Sequence, residues 1–259
     1  MKQGFSLVEL SIVLVILGLL TGGILSGQSL IRAAELRSVS TDIQRLQTTL
    51  YTFRDKYMAL PGDMRTAGKF WGYANTAGAG GTCAAPATNT GTGTQTCDGN
   101  GDGQIGTNAA AAIVYESFRA WQHLANAGLV EGNYTGVAGG GGISDAIPGE
   151  NVPRMKPSNT GVALRYVAAQ SGAGSWFNGP YGNIFTIGRT NAGDAPSGAF
   201  VRAEEAWNID TKVDDGRPAY GKVLMYRTAL CVTTTVEATA EYKVSDPAIN
   251  CPIMALSGL

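Results

Sequence analysis

Charge is what this 259-residue chain has least of. Asp, Glu, Lys and Arg make up 15% of it, against roughly 25% in an ordinary soluble domain. The formal net charge is -1, so no basic excess exists to neutralise phosphates, and composition excludes nucleic acid as the expected partner. His123 is the single histidine, which leaves zinc hydrolases and Ser-His-Asp arrangements without a partner set. On its amphipathic segment it reads as a packing or capping residue. No Cys-x-x-Cys spacing occurs, which argues against a zinc site or a thioredoxin-like redox motif. The "GAGG" and "AGGGG" runs lack the Lys-Ser/Thr end of a phosphate loop. The chain is therefore expected not to be an enzyme. Finally, no proline precedes Pro61, so nothing of that kind interrupts a helix before it.

What is present begins with an uncharged run. From Leu10 through Ile31 there are 22 residues without a formal charge; as a helix they span about 33 Å, enough to cross a hydrocarbon core of about 30 Å. A secretory signal peptide, with Lys2 as its basic region and cleavage near Ser26 or Gly27, is the rival reading. Two features oppose it: Glu9 stands at the entrance of the run, and the helical pattern does not stop at its end. Leu36, Val39, Ile43, Leu46, Leu50, Phe53 and Tyr57 recur at steps of 3 and 4, an apolar stripe on which a domain must dock. One helix from Phe5 to Tyr57 is expected, stopped by Pro61 and Gly62. Gly18, Gly22, Gly23 and Gly27 punctuate it, as sites of local loosening or of small-residue packing between helices.

The N-terminus "MKQGFSLVELSIVLVILGLL" closely resembles those of type IV prepilins and of the pseudopilins of type II secretion: a short basic leader ending in Gly, then Phe, then a Glu five residues into the mature chain. The resemblance implies cleavage after Gly4 by a prepilin peptidase/methyltransferase and N-methylation of Phe5. It also implies assembly with other pilin subunits, in which Glu9 pairs with the Phe5 amine of a neighbour. The corresponding location is a single pass in the inner membrane with a periplasmic head, then an extracytoplasmic filament. Counting Lys2 before the span against Arg32, Arg37 and Arg45 after it points instead to a cytoplasmic head; the cysteines and the leader favour the periplasm. The expected organisation is leader 1–4, helix 5–57 with its membrane half at 10–31, and head 58–259, divided into an insertion region 58–160 and a sheet region 161–259. The expected function is a structural subunit of a type IV pilus or pilus-like filament. A type II secretion pseudopilin is the alternative within the family, and a membrane-anchored calcium-dependent binding protein that does not polymerise is the alternative outside it.

The four cysteines are Cys83, Cys97, Cys231 and Cys251, and three pairings are formally possible. The local pairs Cys83 with Cys97 and Cys231 with Cys251 close short loops and suit an oxidising compartment. The second pair resembles the C-terminal disulfide loop of type IV pilins. Between Met64 and Pro157 the chain is rich in Gly, Ala, Thr and Asn, and little of it is expected in the core. An amphipathic helix from Ala109 to Ala127, packing Ile113, Phe118, Trp121 and Leu124 and ending at Gly128, lies inside it. Strands are expected at Val162–Ala168, Asn183–Arg189, Lys222–Val232 and Glu241–Val244, and a short helix at Ser197–Ile209 with Ser197 as N-cap. The whole reads as an α+β fold: a long N-terminal helix, packed on a small antiparallel sheet, with a large irregular Gly-rich insertion.

The sharpest chemical motif is "CDGNGDGQIG". Asp98, Asn100 and Asp102 occupy positions 1, 3 and 5 of a calcium loop of EF-hand type, with Gly103 at 6 and the Gln104 carbonyl at 7. Position 12 holds Ala109 where the bidentate Glu belongs, so Glu116 is the candidate to supply that carboxylate from outside. The expected cofactor is Ca2+ at moderate affinity. A second acidic stretch, "NIDTKVDDGRP" with Asp210, Asp214 and Asp215, resembles one between a short helix and the final strands of pilin-like proteins, where calcium is ligated in some secretion pseudopilins; the favoured reading is an Asp-Asp-Gly turn neutralised by Lys212 and Arg217.

Overall fold

The computed structural model describes residues 6–74, 91–106, 116–171 and 174–259. Helix α1 (Leu7–Tyr57) runs 51 residues, about 76 Å. Ser6 caps it: its Oγ accepts the Val8 amide at 3.3 Å, and Glu9 Oε2 accepts the Ser6 amide at 2.9 Å, a reciprocal capping box. It ends where Met58 enters the left-handed region and donates its amide to the Arg54 carbonyl. Every apolar side chain from Leu7 to Leu25 that is large is exposed. Beyond Leu36 the expected stripe takes over: Val39, Ile43, Leu46, Leu50 and Phe53 are buried, with Leu36 and Tyr57 packed at the edges.

That stripe docks on a five-stranded antiparallel sheet of order β1 (Arg154–Met155), β2 (Thr160–Val167), β3 (Gly182–Arg189), β7 (Ile253–Leu256) and β5 (Val223–Leu224). Gln47 Nε2 donates to the Leu256 carbonyl at 2.8 Å, and Tyr51 Oη donates to that of Gly258 at 2.6 Å. The C-terminal strand is thus hydrogen-bonded to the side chains of the helix. Strands β2 and β3 fall close to the expected spans Val162–Ala168 and Asn183–Arg189. The expected strand Lys222–Val232 shrinks to β5, because Met225 turns back to the Pro218 carbonyl instead of extending the ladder. Glu241–Val244 forms only an isolated bridge from Tyr242 to Val232.

The expected helix at Ser197–Ile209 starts later, as α4 (Ala203–Val213), with Arg202 at its N-cap. Ser197 instead lies in the stretch where Gly198 bridges to Arg189, and its hydroxyl accepts from Asn191 Nδ2. Strand β4 (Val201–Arg202) pairs with β6 (Ile249–Cys251) in a small second sheet. There Cys251 is joined to Cys231 with their Cα atoms 5.3 Å apart. Cys97 is disulfide-bonded as well, while Cys83 lies outside the described residues.

The segment before the sheet contributes more to the core than its composition suggests. Helix α2 (Ala67–Trp71) is short, and α3 (Glu116–Asn126) is buried from Glu116 to Leu124. Phe118, Trp121 and Leu124 pack as expected, with Met64, Ala67 and Ile105 in the same cluster. The first half of the expected Ala109–Ala127 helix, with Ile113, lies outside the described residues. Glycine and threonine dominate the composition there, yet a few large side chains anchor it, so average hydropathy understated its burial.

Candidate functional site

Gly62 brings the first site together. Its φ of 85° and its approach to the Glu116 carbonyl leave no room for a Cβ, so only glycine permits this turn just after α1. The turn sets Asp63 against the acidic loop: Asp63 Oδ1 accepts the Asp102 amide at 3.0 Å and Oδ2 accepts that of Gly103 at 2.9 Å. At the start of α3, Glu116 Oε1 accepts the Asn100 amide and Oε2 the Gly106 amide, both at 2.9 Å. Two carboxylates from distant segments therefore hold the loop by four backbone amides.

One carboxylate oxygen from each of Asp63, Asp102 and Glu116 lies within 4.8 Å of the others. Glu116 is fully buried. Desolvation raises its pKa to about 7, the Asn100 and Gly106 amides counteract this, and the Asp63 and Asp102 charges add to the rise. Burial also raises Asp63, against the pull of its backbone hydrogen bonds. Clustered like charges at low solvation favour either a proton or a cation. An all-oxygen, carboxylate-rich donor set fits a hard divalent ion.

Of the ligands expected from the sequence, Asp102 and Glu116 stand in this group. Asp98 does not: it is buried and its Oδ1 accepts the Gly68 amide at 2.7 Å, holding the first turn of α2. Asn100 uses its side chain on Asp102, accepting the Asp102 amide at 2.9 Å and donating to Oδ2 at 3.0 Å. Gln104 donates its amide to Asp102 Oδ1 at 2.8 Å. Ala109 lies outside the described residues. Asp63 was not anticipated, because "PGD" reads as a helix stop and its partner loop is 39 positions away.

His123 serves the same junction. It is fully buried; Nδ1 accepts the Gly62 amide at 2.9 Å, and Nε2 lies 3.1 Å from Thr96 Oγ1 and 3.2 Å from the Cys97 carbonyl. Acceptance at Nδ1 places the proton on Nε2. Desolvation, then the Arg119 charge, push its pKa down to about 3. It is a neutral structural tie between the helix exit and the disulfide-bonded Cys97.

At the other end of the head, Arg32 forms a fork with Glu205 of α4, Nε to Oε1 at 2.8 Å and Nη2 to Oε2 at 2.6 Å, and Nη2 reaches the Phe200 carbonyl at 3.1 Å. Arg32 is the first charge after the apolar run. Its hydrogen bonds with Glu205 raise its pKa. Burial would raise that of Glu205, but the bonds with Arg32 and the Arg202 amide outweigh it and lower it.

Beyond this fork toward the N-terminus no described residue of the head covers the helix. Leu7 is 85% exposed, and no residue of the most apolar 18-residue window is buried. Such a bare cylinder, long enough to span a bilayer, must be covered by lipid or by other helices. Glu9 stands on its first turn. Gly4 and Phe5 lie outside the described residues. The prokaryotic N-terminal methylation motif matches residues 1–25. The chain thus carries a prepilin-type cleavage and methylation motif at its N-terminus. No curated protein and no solved structure matches the chain. The pilin-type motif covers the bare half of α1, and the role of the head rests on its own geometry.

Proposed function

We propose that the chain is a structural, non-catalytic subunit of a type IV pilus or pilus-like filament. In this reading a prepilin peptidase/methyltransferase cuts it after Gly4 and methylates Phe5; it is held in the inner membrane by residues 10–31, and is assembled by packing of N-terminal helices. The single observation that carries this is the continuity of α1: one uninterrupted helix is bare for its first half and buried by the head in its second. An acid such as Glu9 in hydrocarbon costs about 2.5 to 3.5 kcal/mol at a helix centre and less near an end. Its own Ser6 amide offsets part of that cost. The Phe5 amine of a neighbouring subunit would neutralise the charge as the helix leaves the bilayer.

The test is incorporation of Glu9→Ala into the sheared filament fraction of cells that also make wild-type subunits. The proposal expects the variant to remain in the membrane fraction; incorporation equal to wild type would contradict it.

The Asp63, Asp102 and Glu116 group further supports calcium as a structural ion of the head. Three carboxylates and no nitrogen or sulfur donor favour this cation, at the modest affinity of extracellular sites. Saturating calcium would raise the thermal midpoint relative to chelator, with a stabilisation of about 2.7 kcal/mol when the free ion is a hundredfold above Kd. No shift at millimolar calcium would leave the loop held by its amides alone. This group is also what favours the second reading, a membrane-anchored calcium-dependent binding protein, which the Glu9 experiment separates from a filament subunit.

A further inference from the structure

The end of the head from which the bare helix emerges carries cations that the fold does not use. Strand β7 runs alongside α1 in the same direction, with Leu256 on Gln47 and Gly258 on Tyr51, so the segments just before it lie toward the uncharged run. The small β4–β6 sheet is at that end: Arg32, the first charge after the run, donates to the Phe200 carbonyl. Phe200 in turn donates its amide to the Cys251 carbonyl, and Arg202 is paired with Ile249. Arg189, at the end of β3, exchanges both backbone hydrogen bonds with Gly198 of the same stretch. Thr160 stands opposite Arg189, which brings the turn between β1 and β2, with Lys156, to this end as well.

Arg37, Lys156, Arg189 and Arg202 are all exposed, and among the described residues none of them enters an ion pair. The acids nearby are mostly engaged: Glu35 and Glu205 pair with Arg32, and Asp42 pairs with Arg45. Glu204 is the exposed acid on the first turn of α4. Four free cations therefore face about one free acid. Beside Arg202, the apolar Ile249 is 43% exposed. An apolar side chain among arginines suits the boundary between headgroups and hydrocarbon. The sequence count of Arg32, Arg37 and Arg45 after the span is also accounted for: two are taken by Glu205 and Asp42, and Arg37 is left for a partner outside the fold.

We propose that this rim binds anionic phospholipid headgroups, so that the head of the stored subunit rests on the bilayer its helix crosses. The inference rests on the reading of residues 10–31 as a membrane span and does not depend on filament assembly. Arg37 lies six residues beyond Ile31, about 9 Å along the helix, and the headgroup layer reaches about 5 to 7 Å beyond the hydrocarbon. Arginine side chains bridge the difference, and an ordinary helix tilt of about 20° lowers one side of the head further. Attraction to surface charge fades over a Debye length of about 8 to 10 Å. The rim is within that range, whereas Lys56, 24 residues beyond Arg32, is about 36 Å away along the axis.

The experiment places the full-length protein in nanodiscs of phosphatidylcholine mixed with phosphatidylglycerol and counts the lipids kept on release by native mass spectrometry. Wild type is expected to retain phosphatidylglycerol above its share of the disc and to lose that enrichment as salt is raised. Each arginine near the surface contributes about fivefold to such a preference. Arg37→Gln alone should therefore weaken it, and Arg37→Gln, Arg189→Gln and Arg202→Gln together should abolish it. The same three changed to Lys should keep it, because headgroup attraction needs charge and no fork. Lys56→Gln with Lys69→Gln, at the far end of the head, should change nothing. No enrichment in wild type, or equal enrichment in the triple Gln variant, would overturn the rim. Loss of enrichment in the Lys56 and Lys69 variant alone would move the lipid contact to the other end and overturn it too. Hydrogen exchange of residues 10–31 in the same discs separates the premise: rapid exchange there would overturn the span itself, while protection there without enrichment overturns the rim alone.

Discussion

Asp63 accepts the backbone amide of Asp102 at 3.0 Å, although the two stand 39 positions apart. With the Gly103 amide on its other oxygen, this carboxylate joins the exit of the long helix to the acidic loop. An amide side chain would place an N–H against one of those two donors. Asp63→Asn is therefore expected to destabilise the head by about 1 to 3 kcal/mol, read from the denaturation midpoint in chelator. An unchanged midpoint would show that the loop holds its shape without the clamp.

Glu116 and Asp210 each have a pKa raised to about 7, burial being the first cause in both. Near pH 5 to 6 the folded chain thus binds protons that the unfolded chain has released. Stability from these two acids is present below about pH 4.5 and falls as pH rises through about 7. In chelator, thermal midpoints are expected to fall between about pH 5.5 and 7.5, opposite to the usual carboxylate trend. Calcium should flatten that slope, because it occupies the ionised form. A midpoint that rises with pH in chelator would contradict the burial of both acids.

His123 is the only histidine of the chain, so its ring protons give one unambiguous magnetic-resonance signal. With its pKa pushed down to about 3, the signal should not move between about pH 5 and 8. A midpoint near the ordinary histidine value would contradict the buried tie to Gly62. Replacement by Ala removes buried hydrogen bonds and leaves a cavity beside Phe53 and Trp71, at an expected cost of about 3 kcal/mol.

The Arg32–Glu205 fork fixes the head at the point where the bare helix begins. It is half-buried and bidentate, so it should exceed a surface pair: a double-mutant cycle with Arg32→Ala and Glu205→Ala is expected to give about 1 to 2 kcal/mol of coupling. Arg32→Lys keeps the charge and loses the fork, and should recover less than half of it. A coupling near zero would show that α4 is held on α1 by apolar packing alone.

The helix was legible because its signals are local. Val39, Ile43, Leu46, Leu50 and Phe53 follow one another at helical spacing, and Pro61 and Gly62 mark the stop. Strands β2 and β3 were legible for the same reason, through partial alternation within Val162–Ala168 and Asn183–Arg189, although both are buried almost continuously. What was hidden depends on distant partners. Strand β7, "IMAL", is four residues with no alternation, yet it lies between β3 and β5 because it fits against Gln47 on the helix. The β-rich run from Lys222 to Val232 read as a strand, but only Val223 and Leu224 find a ladder partner. Within the acidic loop the spacing showed an acid-rich turn, and Glu116, named as an acid from outside it, lies beside Asp102. It could not show that Asp98 turns to Gly68, or that Asp63 takes its place in the group.

The processed N-terminus separates a filament subunit from a secreted or plainly anchored protein, and N-terminal mass spectrometry of the protein purified from its membrane or filament reads it. A mature chain that begins at N-methyl-Phe5 and keeps the whole of α1 is expected. A chain that begins near Gln28, as after signal-peptide removal, or one that retains Met1 in the filament fraction, would contradict it.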